Sequence, residues 1–322
     1  MVRLLALLFL GVVAACTPEL PDATSIVTSP RLLAVQASPA EAAVGASFTL
    51  TALYVDPSGA VADASAMDWA TCLLANPLGD PAPVNAACFA HPKEGLTELG
   101  RGGKVTGTIP MNACELFGPE SPPPAQGQPA PRPTDPDSTG GFYLPIRVVE
   151  ATQQAVALER ITCQPSGVVL SVFTAWSTGY VPNENPRVSA VSLVSGDGGV
   201  TSLTGAAAPI VVSAGKAVTL RALWPTCPSK PAACRGAETY LYIDASTKQL
   251  ATGRESIVAS WYATDGSFAL DRAGRDGTDL TTSADNTWIA PSTGGLVRFW
   301  VVLRDARGGV GWASYALSVG AP

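Results

Sequence analysis

An internal repeat constrains the fold of this chain more than any other feature of its sequence. The segment from Val44 to Tyr54 matches the segment from Ala214 to Trp224, and the surroundings of Trp69 recur around Trp261. Two shorter matches keep the same order, namely Pro-Arg at 30–31 and 186–187, and Ser-Thr-Gly-Gly at 138–141 and 292–295. Four matches in one order indicate two copies of one structural unit.

Each copy has the sequence pattern of β-structure. Val218, Leu220 and Ala222 alternate with more polar residues, which is the period of a half-buried strand. Residues 296–304 and 310–319 flank a Gly-rich turn and predict a hairpin. The first copy has the same shape in the runs 142–151 and 155–163. Short strands at this spacing predict a sandwich of two antiparallel sheets.

The second copy also resembles a known class of module. The run from Asn286 to Pro291, followed by Gly295 and the run from Phe299 to Asp305, is similar to the closing strands of bacterial Ig-like modules of the PKD and fibronectin type III kind. The resemblance covers most of residues 186–320 and, more weakly, 30–163. It implies an architecture and leaves the function open, because such sandwiches serve adhesion, spacing and binding alike.

The sequence therefore predicts an all-β protein with two tandem Ig-like antiparallel β-sandwiches, in which Trp69 and Trp261 lie in the cores. The first domain spans 30–180 and contains a Cys- and Pro-rich insertion at 75–137, and the second spans 181–322. The bridge 166–180 fits either an extra strand or a short helix. Aligning the copies on Ser-Thr-Gly-Gly sets Arg147 opposite Val301, which predicts a one-residue bulge in one copy.

The N-terminus predicts export. Arg3 precedes the apolar run from Leu4 to Val13, and Val13-Ala14-Ala15-Cys16 resembles the lipobox of bacterial lipoproteins. The resemblance implies a signal peptide at 1–15, lipidation of Cys16, and a short tether at 16–29. Thr17 stands where some inner-membrane lipoproteins have Asp, which favours the outer membrane. The alternative is an ordinary signal peptide with a cysteine nearby.

Six cysteines remain of the seven when Cys16 is set aside, and an even number in an exported chain predicts disulfides. Cys227 and Cys234 are close enough to close a small loop. The other four cysteines allow three connectivities. We favour Cys72–Cys88, the shorter loop, which leaves Cys114–Cys163. Zinc is the weaker alternative, because the chain has one histidine and no C-x-x-C pair.

The sharpest candidate for a binding surface lies on the last hairpin. If Val297 and Phe299 face the core, Trp300 and Trp312 lie on the outer face with Arg298 and Arg304 as neighbours. Exposed Trp with Arg is typical of interaction hot spots and of sugar stacking. The alternative is that a loop or the other domain covers this face.

The candidates for chemistry are weaker. Asp271, Asp276 and Asp279 lie in a Gly-containing segment and are a weak calcium candidate, although neighbouring arginines could pair with them. Ser213 and Lys216 match S-x-x-K, but the equivalent residues of the first copy form a strand-entry turn. His91, the only histidine, lies beside Pro92 in a cysteine-bordered loop, and no serine motif accompanies it.

Composition narrows the class of function. A formal charge of −6 with 14% charged residues argues against a nucleic-acid surface. We expect a non-catalytic, lipid-anchored envelope protein that acts as a structural or protein-interaction module, with an envelope protein or a glycan as partner and no cofactor. A carbohydrate-binding or adhesive module is the alternative, and a glycan-active enzyme is a more distant one.

Overall fold

The computed structural model describes residues 24–60, 62–74, 83–90, 95–119, 141–150, 153–203, 209–244 and 246–320. Four of its sheets form two β-sandwiches, which we call the first and the second sandwich, so the predicted all-β fold is confirmed. The strands of the first sandwich are β1 Arg31–Ser38, β2 Glu41–Ala43, β3 Ser47–Val55, β4 Asp68–Cys72, β5 Leu96–Arg101, β6 Lys104–Thr108, β7 Gly141–Glu150 and β8 Gln153–Thr162.

The remaining strands form the second sandwich and a separate two-stranded sheet of β13 and β14. They are β9 Ala190–Val194, β10 Val200–Ser202, β11 Ile210–Ser213, β12 Ala217–Leu223, β13 Thr239–Ile243, β14 Leu250–Arg254, β15 Ile257–Ala263, β16 Ser267–Phe268, β17 Arg272–Arg275, β18 Ser283–Ile289, β19 Gly295–Asp305 and β20 Val310–Gly320. The helical elements are a 3-10 turn Ala86–Phe89, α1 Ala113–Phe117 and α2 Leu170–Gly179.

Both sandwiches follow one topology. In the first, the sheets are β1-β3-β6 and β2-β8-β7-β4-β5, and β2 runs parallel to β8. In the second, they are β10-β9-β12-β18-β16 and β11-β20-β19-β15-β17, and β11 runs parallel to β20. In the first copy the chain changes sheet between β1 and β2, and in the second copy it changes sheet between β10 and β11. The remaining pairs are antiparallel, which gives the Ig-like sandwich that the repeat predicts.

The two predicted core tryptophans occupy equivalent places. Trp69 is 0% exposed and pairs with Val148, and Trp261 is 1% exposed and pairs with Val301. Since Val148 and Val301 are equivalent, Arg147 corresponds to Trp300 in the structure. The alignment on Ser-Thr-Gly-Gly set Arg147 opposite Val301 instead, so the two alignments differ by one residue. No register shift occurs between β4 and β7, so the predicted bulge is not what displaces the copies.

The three predicted disulfides are confirmed. Cys72–Cys88 joins β4 to the 3-10 turn, Cys114–Cys163 joins α1 to the residue that follows β8, and Cys227–Cys234 closes a short loop after β12. The first bond lies in a small apolar cluster of its own, where Val84 packs beside it. The bridges therefore fix segments between strands, where the sheets supply few backbone hydrogen bonds.

Two segments differ from their predicted form. The range 75–137 is not an insertion throughout, because β5 and β6 fall within it and complete the two sheets of the first sandwich. The two strands are short and polar and lie in a Cys- and Pro-rich range, so the sequence pattern did not predict them. The ambiguous bridge 166–180 forms the helix α2, which packs Val172 and Trp176 against β13 and β14. Within the described residues, no helix combines the length and the apolarity needed to cross a bilayer.

Candidate functional site

The two sandwiches meet face to face, and their contact is the most extensively built feature outside the two cores. Several residues of β1 and β3 point away from the first core and pack on the outer face of β19 and β20, among them the neighbours Leu33 and Ala34 at a register shift of β1. We call this contact the interdomain interface. Its buried apolar side chains are Val27, Leu33, Ala34, Leu53, Val55, Trp300 and Val302, and Tyr262, Val310 and Trp312 pack around them.

The predicted interaction surface on the last hairpin is part of this interface. Val297 and Phe299 face the core as expected, because each is 2% exposed and belongs to the second core. The opposite face is not free, however. Trp300 is 3% exposed, and Trp312 is half-buried against the first sandwich. The Trp-rich face is therefore not free but covered by the other domain, which is the alternative that the sequence left open.

The two arginines of that surface also contact the first sandwich. Arg304 Nη2 donates to the carbonyl of Leu33 at 2.9 Å. The side chain of Arg298 crosses the backbone of Gly59, where φ is +80° and a Cβ would lie 1.7 Å from Arg298 Cδ. Both guanidinium groups thus extend across the interdomain interface, and Gly59 permits the close approach.

The end of the predicted tether is docked on the second sandwich. Val27 N–H donates to the carbonyl of Ala263 at 2.9 Å, and Ala263 N–H donates to the carbonyl of Ser25 at 2.9 Å. Ser25 is 2% exposed and Val27 is 1% exposed. Residues 24–27 therefore extend the edge of β15 before the chain enters β1 at Arg31, whereas the sequence predicted a tether throughout 16–29.

Two amide side chains close the interface with hydrogen bonds. Asn185 Nδ2 donates to the carbonyl of Ala37 at 2.6 Å, and its Oδ1 accepts from Val310 N–H at 2.8 Å. Gln36 Nε2 donates to the carbonyl of Val310 at 2.6 Å. Asn185 precedes β9 and is 8% exposed, so one buried side chain joins β1 to β20. These bonds satisfy backbone groups that the interface removes from water.

A buried carboxylate of the first sandwich lies at one end of the interface. Glu41 Oε2 accepts from Arg160 Nε at 3.0 Å and from Asn183 N–H at 2.9 Å. Its Oε1 accepts from Thr162 Oγ1 at 2.8 Å and from the Tyr180 hydroxyl. The side chains of Arg160 and Glu41 are 1% and 0% exposed. Tyr180 and Asn183 belong to the segment 180–189 between α2 and β9, which we call the linker, and these bonds fix them to the first sandwich.

A second buried cluster centres on Arg307, in the turn between β19 and β20. Its Nε donates to Glu255 Oε1 at 2.7 Å, and its Nη2 donates to Glu238 Oε2 at 2.5 Å. Nη1 donates to the carbonyl of Val181 at 3.2 Å, and the guanidinium lies 4.9 Å from the centroid of the Tyr240 ring. The Arg307 side chain is 1% exposed. Through Arg307, this turn of the second sandwich binds the linker at Val181.

Asn183 joins the two clusters. Its backbone N–H binds Glu41, and its side-chain amide donates to Asp305 Oδ1 at 3.3 Å. Asp305 also accepts from the backbone N–H groups of Arg307 at 2.9 Å and Gly309 at 2.8 Å. One linker residue thus binds a carboxylate from each sandwich.

Carboxylates outnumber guanidinium groups across the two clusters. Burial raises the pKa of Glu238 to about 7 and that of Glu255 to about 8, although Arg307 opposes both shifts. Burial also raises the pKa of Asp305. Burial thus favours the neutral form of these three acids, whereas the positive charge of Arg307 favours their ionised form. The ion pairs of both clusters are buried from solvent, so the clusters are suited to holding the linker and the two sandwiches together.

Two of the three calcium candidates, Asp276 and Asp279, form hydrogen bonds or ion pairs within their own loop. Asp276 Oδ1 accepts from Thr278 N–H at 2.7 Å, and Asp279 Oδ2 lies 3.2 Å from Arg275 Nη1. Asp271 is exposed. Among the described residues, no three His, Cys, Asp or Glu side chains are grouped as metal ligands. The pairing with Arg275 is the salt bridge that the sequence offered as the alternative.

The other sequence candidates do not form a site. Lys216 N–H donates to the carbonyl of Ser213 at 3.3 Å, which is the strand-entry turn that the repeat predicts. Cys16 and His91 lie outside the described residues.

Sequence reasoning missed the residues that form the buried clusters. Arg160 follows Glu159 in a strand that also contains apolar residues, and Arg307 lies in the Gly-rich turn that follows Asp305. An Arg in a strand or a tight turn needs a charged or hydrogen-bonding partner only if it is buried, and the local sequence does not show that burial. The partners Glu41 and Glu255 lie far away in the sequence, so no local pattern identifies them.

Comparisons with known proteins give no family. No family model and no curated protein matches the chain. Solved structures with a partial likeness include the Yersinia pseudotuberculosis adhesin InvE (9% identity, TM-score 0.22) and the chicken CNTN1 FN1–FN3 domains (8% identity, TM-score 0.21). A third is Escherichia coli alpha-2-macroglobulin activated by porcine elastase (10% identity, TM-score 0.22).

The alignments with these structures cover 89%, 91% and 92% of this chain but only 58%, 66% and 22% of the respective matched chains. The chain therefore spans less than two thirds of the length of each. Likenesses with TM-scores of this size do not identify a shared function.

Proposed function

We propose that this protein is a non-catalytic, lipid-anchored cell-envelope module that presents two Ig-like sandwiches to a partner as one rigid body. The observation that carries the proposal is the interdomain interface. Domains that move independently usually share small, polar contacts. Here an apolar patch including Trp300, two buried ion clusters and the linker residue Asn183 act on the same contact.

The energetics of the interface favour a fixed arrangement. Burying a large apolar side chain stabilises by about 1.5–3 kcal/mol, and several such side chains meet across the interface. Removing one partner of a buried ion pair costs about 3–5 kcal/mol, because the other charge remains buried. Separation of the sandwiches would expose the apolar side chains of the interface to water and would weaken the buried ion pairs. The two sandwiches therefore behave as a single unit.

The location in the envelope is supported by two sequence features and one structural feature. The N-terminal signal and the lipobox-like Cys16 favour lipid attachment, and Thr17 favours the outer membrane. Three disulfides are typical of proteins that fold in an oxidising compartment. The proposed partner is another envelope protein. The glycan alternative loses its sequence support, since Trp300 and Trp312 lie in the interdomain interface.

Cross-linking on intact cells of the native host tests the proposal. Purification of the protein followed by mass spectrometry should recover one envelope protein in near-equal amount. The Cys16→Ser variant should lose incorporation of a labelled fatty acid and leave the membrane fraction, and it should lose the cross-link. A labelled and membrane-bound Cys16→Ser variant would refute the lipid anchor. Recovery of glycan alone would refute the protein-interaction role.

A further inference from the structure

The first sandwich contains a cavity of about 260 Å³ at the end where β1 starts and where β7 and β8 meet. Its apolar lining includes Leu32, Met67, Val148 and Ala155. Met67 and Val148 are 0% and 1% exposed and belong to the first core. The cavity thus reaches from the end of the sandwich into the space between its two sheets.

One carboxyl oxygen in this lining has no hydrogen-bond partner among the described residues. Glu150 lines the cavity and lies two residues after Val148 on β7, so both side chains point between the sheets. The Glu150 Oε2 atom is buried and accepts no hydrogen bond within the described parts of the chain. The Glu150 charge also raises the pKa of Tyr54, after the larger effect of burial. An unsatisfied buried acceptor in a cavity is costly unless a ligand or a water supplies a donor.

The cation on the cavity rim is engaged elsewhere. Arg31 Nη1 donates to the carbonyls of Thr24 at 2.9 Å and Ile26 at 3.5 Å, and its guanidinium lies 5.9 Å from the centroid of the Tyr262 ring. Arg31 is therefore oriented toward the docked N-terminal segment and the second sandwich. In the described structure it forms no ion pair with Glu150, and the carboxylate remains available to a cationic ligand.

We propose that this cavity binds a small primary amine whose ammonium donates to Glu150 and whose apolar body lies against Met67 and Val148. A dry cavity of about 150 Å³ holds benzene, so the volume here has room for about ten non-hydrogen atoms. Small-ligand sites typically combine an apolar lining with a few polar groups that fix orientation. A charged hydrogen bond to a partly buried carboxylate supplies that orientation.

Titration of the isotope-labelled protein with 2-phenylethylamine, followed by NMR, tests this site. The neutral 2-phenylethanol, which has the same apolar body, is the matched control ligand. We expect the amine to bind at least tenfold more tightly than the alcohol and to shift amide signals of residues 148–150 and 153–155. The Glu150→Gln variant keeps the side-chain size and should lose the tenfold preference while it binds the alcohol as before.

A second variant tests the location. Ala155→Leu adds volume inside the cavity and should weaken both ligands at least fivefold, whereas Leu296→Ala on the second sandwich should change neither affinity. An unchanged amide spectrum away from the cavity confirms that each variant is folded. Equal affinities for amine and alcohol, or an amine preference that survives Glu150→Gln, would overturn the role of Glu150. Binding of neither ligand, or binding unaffected by Ala155→Leu, would overturn the site.

Discussion

Glu159 illustrates how position alone sets the chemistry of a single side chain. It lies on β8 opposite Leu144, which faces the first core, and it is 0% exposed. Neither carboxyl oxygen has a hydrogen-bond partner within the described residues. Burial, followed by the charge of Glu41, raises the pKa of Glu159 to about 9. The group is therefore a neutral acid at physiological pH.

The neutral state of Glu159 predicts a specific pH dependence. The folded protein keeps this proton up to about pH 9, whereas an unfolded glutamate loses it near 4.5. The free energy of unfolding therefore falls as pH rises through that window, by at most about 1.4 kcal/mol per pH unit. Glu159→Gln removes this contribution, so its stability relative to the wild type should rise from pH 5 to pH 9.

Urea unfolding at pH 5, 7 and 9 measures this difference. Glu184→Gln is the matched control, because it makes the same substitution at a side chain that is exposed. Buried Glu238 and Glu255 add their own pH dependence to every variant, and this cancels in the comparison. A constant difference between Glu159→Gln and the wild type would show that Glu159 ionises normally.

At the scale of elements, the docked segment 24–27, which forms a β-bridge from Ile26 to Ala263, is the least expected pairing. It has only a few residues and pairs with the last residues of β15, beyond the end of β17. Isolated short strands are unstable, so this one depends on the packing of Val27 among Leu33, Val55 and Trp300. Its docking makes the start of the chain a part of the second sandwich as well as the entry to the first.

Val27→Asp should undock this segment. A buried, unpaired carboxylate replaces an apolar side chain that is 1% exposed. The Ala263 N–H, which donates to the Ser25 carbonyl, should then exchange with solvent at least 100-fold faster in hydrogen-exchange NMR. Val200→Asp, which introduces the same charge at a residue 55% exposed on the edge strand β10, should leave Ala263 protected. Slow exchange of Ala263 in Val27→Asp would mean that side-chain packing does not hold the segment.

At the scale of the whole molecule, the interdomain interface decides how the two sandwiches behave together. The apolar patch at Trp300 and the ion clusters at Glu41 and Arg307 lie along one contact, and Asn183 ties the linker to both sandwiches. The turn carrying Arg307 also approaches the first sandwich closely. A Cβ at Gly308, where φ is +96°, would lie 2.9 Å from Tyr143 Cε1. This combination predicts one cooperative unfolding unit.

Trp300→Ala tests that cooperativity. Truncation of a buried Trp costs about 3–5 kcal/mol, and here the loss falls on the contact between the sandwiches. We expect one calorimetric transition in the wild type, and two transitions with a larger radius of gyration by X-ray scattering in the variant. Leu296→Ala lies on the same strand and the same outward side but is 51% exposed, so it should keep one transition. A single transition and an unchanged radius in Trp300→Ala would contradict a role for this contact.

The features that the sequence predicted correctly share a local origin. The strands around Val218 and Val297, the core positions of Trp69 and Trp261, and the short loop closed by Cys227 follow from alternation, repetition and spacing. Side chains two residues apart on a strand point the same way, so a period of two identifies an inward face without knowledge of the partner sheet. The sequence by itself therefore determined the two sandwiches and their cores.

The tertiary structure alone decided which outward faces meet. Arg304 binds the carbonyl of Leu33 across 271 residues, and Gln36 binds the carbonyl of Val310 across 274 residues. The period of a strand identifies an outer face but does not say whether water or another domain covers it. The burial of Trp300, the ion pairs of Glu41 and Arg307, and the docking of residues 24–27 all arise from contacts between residues distant in the chain, because desolvation depends on the assembled neighbours of a side chain.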